Sequence, residues 1–148
     1  MINKDYFKQT RILDGGMGQE LLARGMKPNS TLWSANAILN ENYHQLVLDT
    51  HIDFIRAGAE IIVTTTFATR HRRLKENNLL DKFEYLNQKA GEIAQLAKKK
   101  FPNTFVAGGI PPQNSTYEAD DRDKAEIIEN FYSQVKFHIS VNFYHLWE

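Results

Sequence analysis

Apolar side chains come in two spacings along this chain, and the two alternate. Short, nearly unbroken apolar runs stand at Arg11–Asp14 (RILD), Glu60–Thr66 (EIIVTTT), Phe105–Gly108 and Val141–Trp147. Their length and β-branched content predict strands, and the continuity of Glu60–Thr66 suits a strand covered on both faces. Between them, apolar residues recur every three or four positions. A short helix is predicted at Gln19–Arg24, stopped by Gly25, and a longer one from Asn40, with Tyr43, Val47, Phe54 and Ile55 on one stripe and Gly58 as its C-cap. A third runs from about Asp81 to Lys100 through Phe83, Leu86, Ala90, Ile93, Ala94 and Ala97, with Lys98–Lys100 favoured by the helix dipole. A fourth starts at Asp121 and places Ile128, Phe131, Tyr132 and Val135 on its apolar side. The stretches MKPNS and ATRHRRLKENN read as connections. The order is β, α, β, α, β, α, β with crossovers long enough only for parallel pairing, which predicts a single α/β domain over residues 1–148 with four strands.

Composition narrows the classes. The 148 residues carry 18 basic and 18 acidic side chains and no cysteine. Balanced charge argues against a nucleic-acid-binding stripe, and the local cluster of Arg70, Arg72, Arg73 and Lys75 reads as a solvated helix face. Without cysteine there is no disulfide framework, and the start, MINKDYFKQT, lacks the apolar centre of a signal peptide. No segment is apolar over a membrane-spanning length. A cytoplasmic protein with no membrane or nucleic-acid partner is the expectation.

Candidate chemistry gathers at the strand exits, where parallel α/β folds place their sites. The first exit is RILDGGMGQELL, Arg11 to Leu22, in which Asp14 precedes Gly15, Gly16 and Gly18. A carboxylate there can hold a cation, and glycines followed by free helix N–H groups can receive an anion, so the turn suits an amino acid. The same glycines can also make a turn and nothing more, and Asp14 can serve only as a cap. DGGMG lacks the GxGxxG and GxxxxGKS spacings of phosphate-binding turns. The second exit offers the hydroxyls of Thr64, Thr65 and Thr66, which β-propensity explains equally well. The third is the rigid loop GGIPPQ from Gly108, and the fourth is Glu148. Trp33 is expected to anchor the loop that contains it, and His51 to be a hydrogen-bonded, partly buried histidine rather than a metal ligand, since no HExxH spacing accompanies it.

The blocks ILDGGMG, LWSA, HIDFIRAGAEIIVTTTFAT and VAGGIPPQ resemble the successive blocks of the homocysteine S-methyltransferase family, whose homocysteine-binding barrel is shared with cobalamin-dependent methionine synthase and betaine-homocysteine methyltransferase. The resemblance implies a (β/α)₈ barrel of the TIM type. It also implies that Asp14, at the exit of the first strand, helps bind the homocysteine amino group, and that Glu148, in a block resembling NFYHLWE, does the same from the fourth. Gly15 and Gly16 then lie against the amino-acid part of the substrate, with Thr65 where the family commonly has asparagine. The loop GGIPP stands where the family often has GSIGP.

Such a barrel needs about 250 residues, so the resemblance covers its first half. Family members hold zinc through cysteines in later strands, and this sequence has none; no cofactor, metal ligand or catalytic residue is expected in this chain. An unperturbed thiol, with a pKa of about 8.5, is only a few per cent thiolate at neutral pH unless a metal or cation stabilises it. Carboxylates cannot supply that activation. The expectation is therefore a fragment of an enzyme that transfers a methyl group to the homocysteine sulfur to form methionine, inactive by itself. The implied partners are homocysteine and a methyl donor: a methylsulfonium compound such as S-methylmethionine or S-adenosylmethionine, a betaine, or methylfolate through a cobalamin module. The alternative is a non-catalytic half-barrel completed by another chain, or self-associating through open sheet edges.

Overall fold

At the centre lies β1 (Ile61–Val63), buried at Ile61 and Ile62, and paired in parallel with β2 (Phe105–Ala107) so that Ile61, Ile62 and Val63 face Phe105, Val106 and Ala107. The computed structural model describes residues 4–114, 119 and 122–140. On the other side of β1, Leu13 makes a single parallel bridge to Ile61. The Asp14 N–H donates to the Ile61 carbonyl at 3.0 Å, while Glu60 and Ile61 both donate to the Ile12 carbonyl at 2.9 and 3.3 Å.

The first predicted strand is thus reduced to a bridge, and among the described residues the named sheet has two strands where three of the four expected would lie. Two carboxylates explain how the ladder ends. Glu60 takes the Ile12 N–H at one end, at 3.2 Å, and Asp14 takes the Val63 N–H at the other, at 2.8 Å. Where the next rungs would form, side chains accept instead of backbone. The strand β1 is also shorter than Glu60–Thr66, because the Thr66 N–H folds back onto the Thr64 carbonyl at 2.7 Å and turns the chain away. The predicted fourth strand, Val141–Trp147, lies outside the described residues, as does Glu148.

Six helices surround this sheet among the described residues: α1 (Met17–Ala23), α2 (Ala35–Leu39), α3 (His44–Arg56), α4 (His71–Glu76), α5 (Phe83–Lys100) and α6 (Lys124–Ser140). Helices α3 and α5 pack on each other and on the strands, and their buried faces carry the spacing seen in the sequence: Val47, Leu48 and Ile52 on one, Leu86, Ala90, Ile93, Ala94 and Ala97 on the other. Helix α4 lies within ATRHRRLKENN, which reads as a connection, and α2 falls where no element is predicted; at six and five residues they are too short to display a period. Gly25 and Gly58, with φ of +100° and +112°, end α1 and α3 through the same pair of backbone bonds, Gly25 to Leu22 with Met26 to Leu21, and Gly58 to Ile55 with Ala59 to Phe54. Asn78, at φ +55°, closes α4 likewise.

Helix α6 departs from its predicted orientation. Ile128 is exposed and Tyr132 is 71% exposed, whereas Gln134 and His138 are buried and Phe137 packs edge-on against Phe83 with ring centroids 5.7 Å apart. A saturated hydrogen-bond network buries the polar side. The Gln134 amide donates to the Thr66 carbonyl at 3.0 Å and to Asn87 Oδ1 at 3.2 Å, and its Oε1 accepts from Gln113 Nε2 at 3.1 Å. Asn87 in turn donates to the Phe83 and Thr69 carbonyls and accepts from the Thr69 hydroxyl. Fully partnered amides can enter a core that isolated ones cannot.

Candidate functional site

The ends of the parallel segments converge on one rim. Asp14 reaches across to the Val63 N–H, and from Val63 the chain enters the threonine run. Two of the three hydroxyls there have fixed partners. Thr64 Oγ1 lies 2.9 Å from Thr66 Oγ1 and accepts from the Gly109 N–H at 2.9 Å, while Thr66 Oγ1 donates to the Gly109 carbonyl at 2.6 Å. Both polar groups of Gly109 are therefore clasped by the exit of β1. A Cβ at Gly109 would lie 3.0 Å from the Thr64 carbonyl and 3.1 Å from Thr66 Oγ1, so the clasp leaves little room for a side chain there. Thr65 is buried, and its hydroxyl has no hydrogen-bond partner among the described residues.

Asp14 is half-buried, and no Lys, Arg or His among the described residues lies within ion-pair distance of it. Burial raises its pKa from 3.8 to about 6, against the opposing pull of the backbone N–H bonds it accepts. A carboxylate held at a strand exit with no cation beside it is in the electrostatic condition that a bound ammonium would relieve.

The glycines divide by neighbour. A Cβ on Gly15 would sit 2.8 Å from the Phe54 ring, and one on Gly18 would collide with Trp33 Nε1, so close packing within the chain accounts for both. At Gly16, the uncapped N-cap of α1, a Cβ would meet nothing nearer than 4.0 Å. Of the three, Gly16 alone faces open space. Trp33, expected to anchor its loop, lies with its indole against Gly18 but is 37% exposed, and it stands at φ +50°, a left-handed conformation costly for a bulky residue. That loop is tied down by Asn29, whose Oδ1 accepts from the backbone of Thr31 and Leu32, and by the Trp33 N–H bond to the Asn29 carbonyl.

His51 corrects its expectation in part. It is fully buried, but neither ring nitrogen has a hydrogen-bond partner among the described residues, and burial lowers its pKa from 6.5 to about 4. It sits in the core as a neutral imidazole. Among the described residues no three His, Asp or Glu side chains come together as a metal site would require, and the sequence supplies no thiolate. Of the residues marked in advance, Asp14, Gly15, Gly16 and Thr65 stand around the joined strand exits, while Glu148 lies outside the described residues. Hydropathy gave no sign of Gln134, which holds the Thr66 carbonyl and thereby the Gly109 clasp.

Fold and rim define an α/β protein with polar side chains gathered at the carboxyl ends of its parallel strands, where such proteins bind ligands. The profile of the homocysteine S-methyltransferase family matches residues 11–144, and the chain belongs to that family. It is 30% identical over 114 residues to homocysteine S-methyltransferase 2 of Saccharomyces cerevisiae, covering 71% of this chain and 35% of that protein. With homocysteine S-methyltransferase of Escherichia coli it shares 34% identity over 135 residues, 82% of this chain and 43% of the other. The crystal structure of the metallated form of the homocysteine methyltransferase MmuM from Escherichia coli superposes with a TM-score of 0.77 at 25% identity, over 93% of this chain and 52% of that one. The chain thus spans about a third to a half of the length of these relatives. Among the described residues no helix is long and apolar enough to cross a membrane.

Proposed function

We propose that the chain is the homocysteine-binding part of a methyltransferase that transfers a methyl group to the homocysteine sulfur to form methionine, laid out as roughly the first half of a (β/α)₈ barrel. The observation that carries this reading is Asp14: a half-buried carboxyl with a raised pKa, no cation beside it among the described residues, and a place on the strand-exit rim of a chain belonging to this family. In this reading Asp14 receives the ammonium of homocysteine. The open backbone at Gly16 gives the amino-acid end room to approach, the unpartnered Thr65 hydroxyl supplies a further polar contact, and Glu148 adds a second carboxylate.

The described side chains hold and orient; none of them activates sulfur. A thiol needs a cationic or metal partner to become thiolate at neutral pH, and Asp14 would repel the anion. In the family, zinc supplies that activation. The donor set here does not fit it, for there is no cysteine and no three-residue His/Asp/Glu cluster among the described residues. The purified chain, given homocysteine with S-methylmethionine, S-adenosylmethionine or a betaine, is therefore expected to yield no methionine. Turnover free of contaminating enzyme would overturn that assignment.

A second reading, a half-barrel completed by another polypeptide, is favoured by one feature. Ile12 and Leu13 are 56% and 57% exposed although they lie in the segment bridged to β1. Burying what remains exposed of two such side chains is worth roughly 2 to 3 kcal/mol, a sizeable drive towards association at that edge. Concentration-dependent sedimentation would support it, and a single monomeric boundary at all concentrations would not.

A further inference from the structure

The basic cluster of the sequence is not one solvated face. Arg72 is exposed and paired with Glu76 at 2.8 Å, and Lys75 is exposed, but Arg70 is only 3% exposed and Arg73 is partly buried. Arg70 makes one hydrogen bond, from Nη1 to the Phe67 carbonyl at 3.3 Å, and its Nε is buried without a partner. Three residues on, Arg73 donates from Nη1 to the Thr31 carbonyl at 2.7 Å, and its Nε is likewise buried and unpartnered. No carboxylate among the described residues lies within ion-pair distance of either; Glu76, the acid whose field reaches Arg70, is bound to Arg72. A guanidinium cannot shed its proton to escape this, and a buried charge without a counter-charge is strongly disfavoured.

The location gives the arrangement a use. Arg70 follows the turn that leaves the threonine run, and its guanidinium lies over the Phe67 ring, 5.6 Å from the ring centroid. Phe67 is itself 45% exposed, so a ring free on its outer side is the cover over a shallow cation. We propose that Arg70 and Arg73 form a binding site for an oxyanion, the carboxylate or phosphate group of a small ligand, admitted when the Phe67 ring swings aside. Guanidinium forks match both groups bidentately. The site takes the opposite charge from Asp14 and stands independently of what binds there.

The test is a titration of the chain, ¹⁵N-labelled at arginine, with inorganic phosphate and separately with acetate, at pH 7 and constant ionic strength, following the Nε–H resonances. Arg70 and Arg73 should shift saturably while Arg72 does not, and Arg70→Lys should weaken binding about ten-fold or more. Saturation by phosphate alone assigns a phosphate-bearing ligand, by acetate alone a carboxylate. Arg70→Met should melt no lower than the unaltered chain in phosphate-free buffer, because an unpaired buried charge is replaced by apolar surface, and should lose the rise in melting temperature that low phosphate gives. Linear shifts shared with Arg72 would overturn the proposal. So would an Arg70→Met variant that melts lower yet keeps its phosphate response, or a longer form of the protein in which one of its own carboxylates fills the place.

Discussion

Two buried titrating groups pull the stability of this fold in opposite directions with pH, and separating them tests the electrostatics of core and rim together. His51 has its pKa lowered from 6.5 to about 4 by burial. Below pH 6.5 the unfolded chain binds a proton that the folded chain refuses, so its contribution is present above 6.5 and is lost as pH falls towards 4. The slope is about 1.4 kcal/mol per pH unit, roughly 3 kcal/mol over the window. Asp14 has its pKa raised from 3.8 to about 6, chiefly by burial. Between those values the folded chain keeps a proton that the unfolded chain has lost, so stability falls as pH rises. That slope has the opposite sign and is at most about 1.4 kcal/mol per unit, reduced by the water that reaches a half-buried carboxyl.

From about pH 4 to 6 the two oppose each other, so the unaltered chain should gain less with rising pH than His51 alone would give it. Asp14→Asn removes the falling limb, so the variant should gain stability with rising pH relative to the unaltered chain. His51→Leu removes the rising limb and should do the reverse. Urea denaturation at half-unit pH intervals reads both, and taking each variant minus the unaltered chain cancels the exposed carboxylates of Asp53 and Glu60, whose pKa values are lowered by their arginine partners. Parallel pH profiles for all three proteins would refute the reasoning, because neither group would then differ in protonation between folded and unfolded states.

Other expectations follow from single contacts. Gln134→Leu would take one hydrogen bond each from the Thr66 carbonyl, Asn87 Oδ1 and Gln113 Nε2, which keep the Thr69 N–H, the Thr69 hydroxyl and the Pro111 carbonyl as partners, at about 0.5 to 1.5 kcal/mol each; urea melts should show a loss of roughly 2 to 4 kcal/mol, whereas Tyr132→Ser on the exposed side should change little. Gly18→Ala, ordinarily favourable inside a helix by up to about 1 kcal/mol, should here destabilise and shift tryptophan emission, because the new methyl meets Trp33 Nε1. Ile12→Lys should reduce self-association in sedimentation velocity while leaving the melting temperature within a degree or two, since the side chain is already in water.

The buried helices were legible because their environment is uniform. α3 and α5 press one face on apolar neighbours, so apolar residues recur at the helical period, and Gly58 marks the end of α3 by its left-handed backbone. The positions of the first three extended segments were legible and strand lengths were not, since the ladder beside β1 ends where Glu60 and Asp14 take backbone donors with their side chains, an event hydropathy does not record. Helix α6 was misoriented for a related reason. Its buried face is built from hydrogen-bonded Gln134 and from His138, while Ile128 and Tyr132, apolar by type, face solvent. At the rim, Asp14 and the threonines stood out by position, but the roles of Gly15 and Gly18 depend on Phe54 and Trp33, which sit next to them only in the folded chain. The split of the basic cluster into paired and buried arginines was hidden likewise, for charge alone does not say which side of a short helix meets water.

The role of Asp14 is tested most directly by titrating L-homocysteine into the chain and into Asp14→Asn, at pH 7.5 and at pH 5, with binding followed by calorimetry. A lost charge-assisted contact costs roughly 1.5 to 3 kcal/mol, so the asparagine variant should bind about one to two orders of magnitude more weakly at the higher pH. Affinity of the unaltered chain should drop as pH falls through about 6, where the Asp14 carboxyl takes up its proton, while the variant should not respond across that range. Equal affinity of the two proteins at pH 7.5, with the same dependence on pH, would contradict the assignment of Asp14 as the group that holds the substrate ammonium.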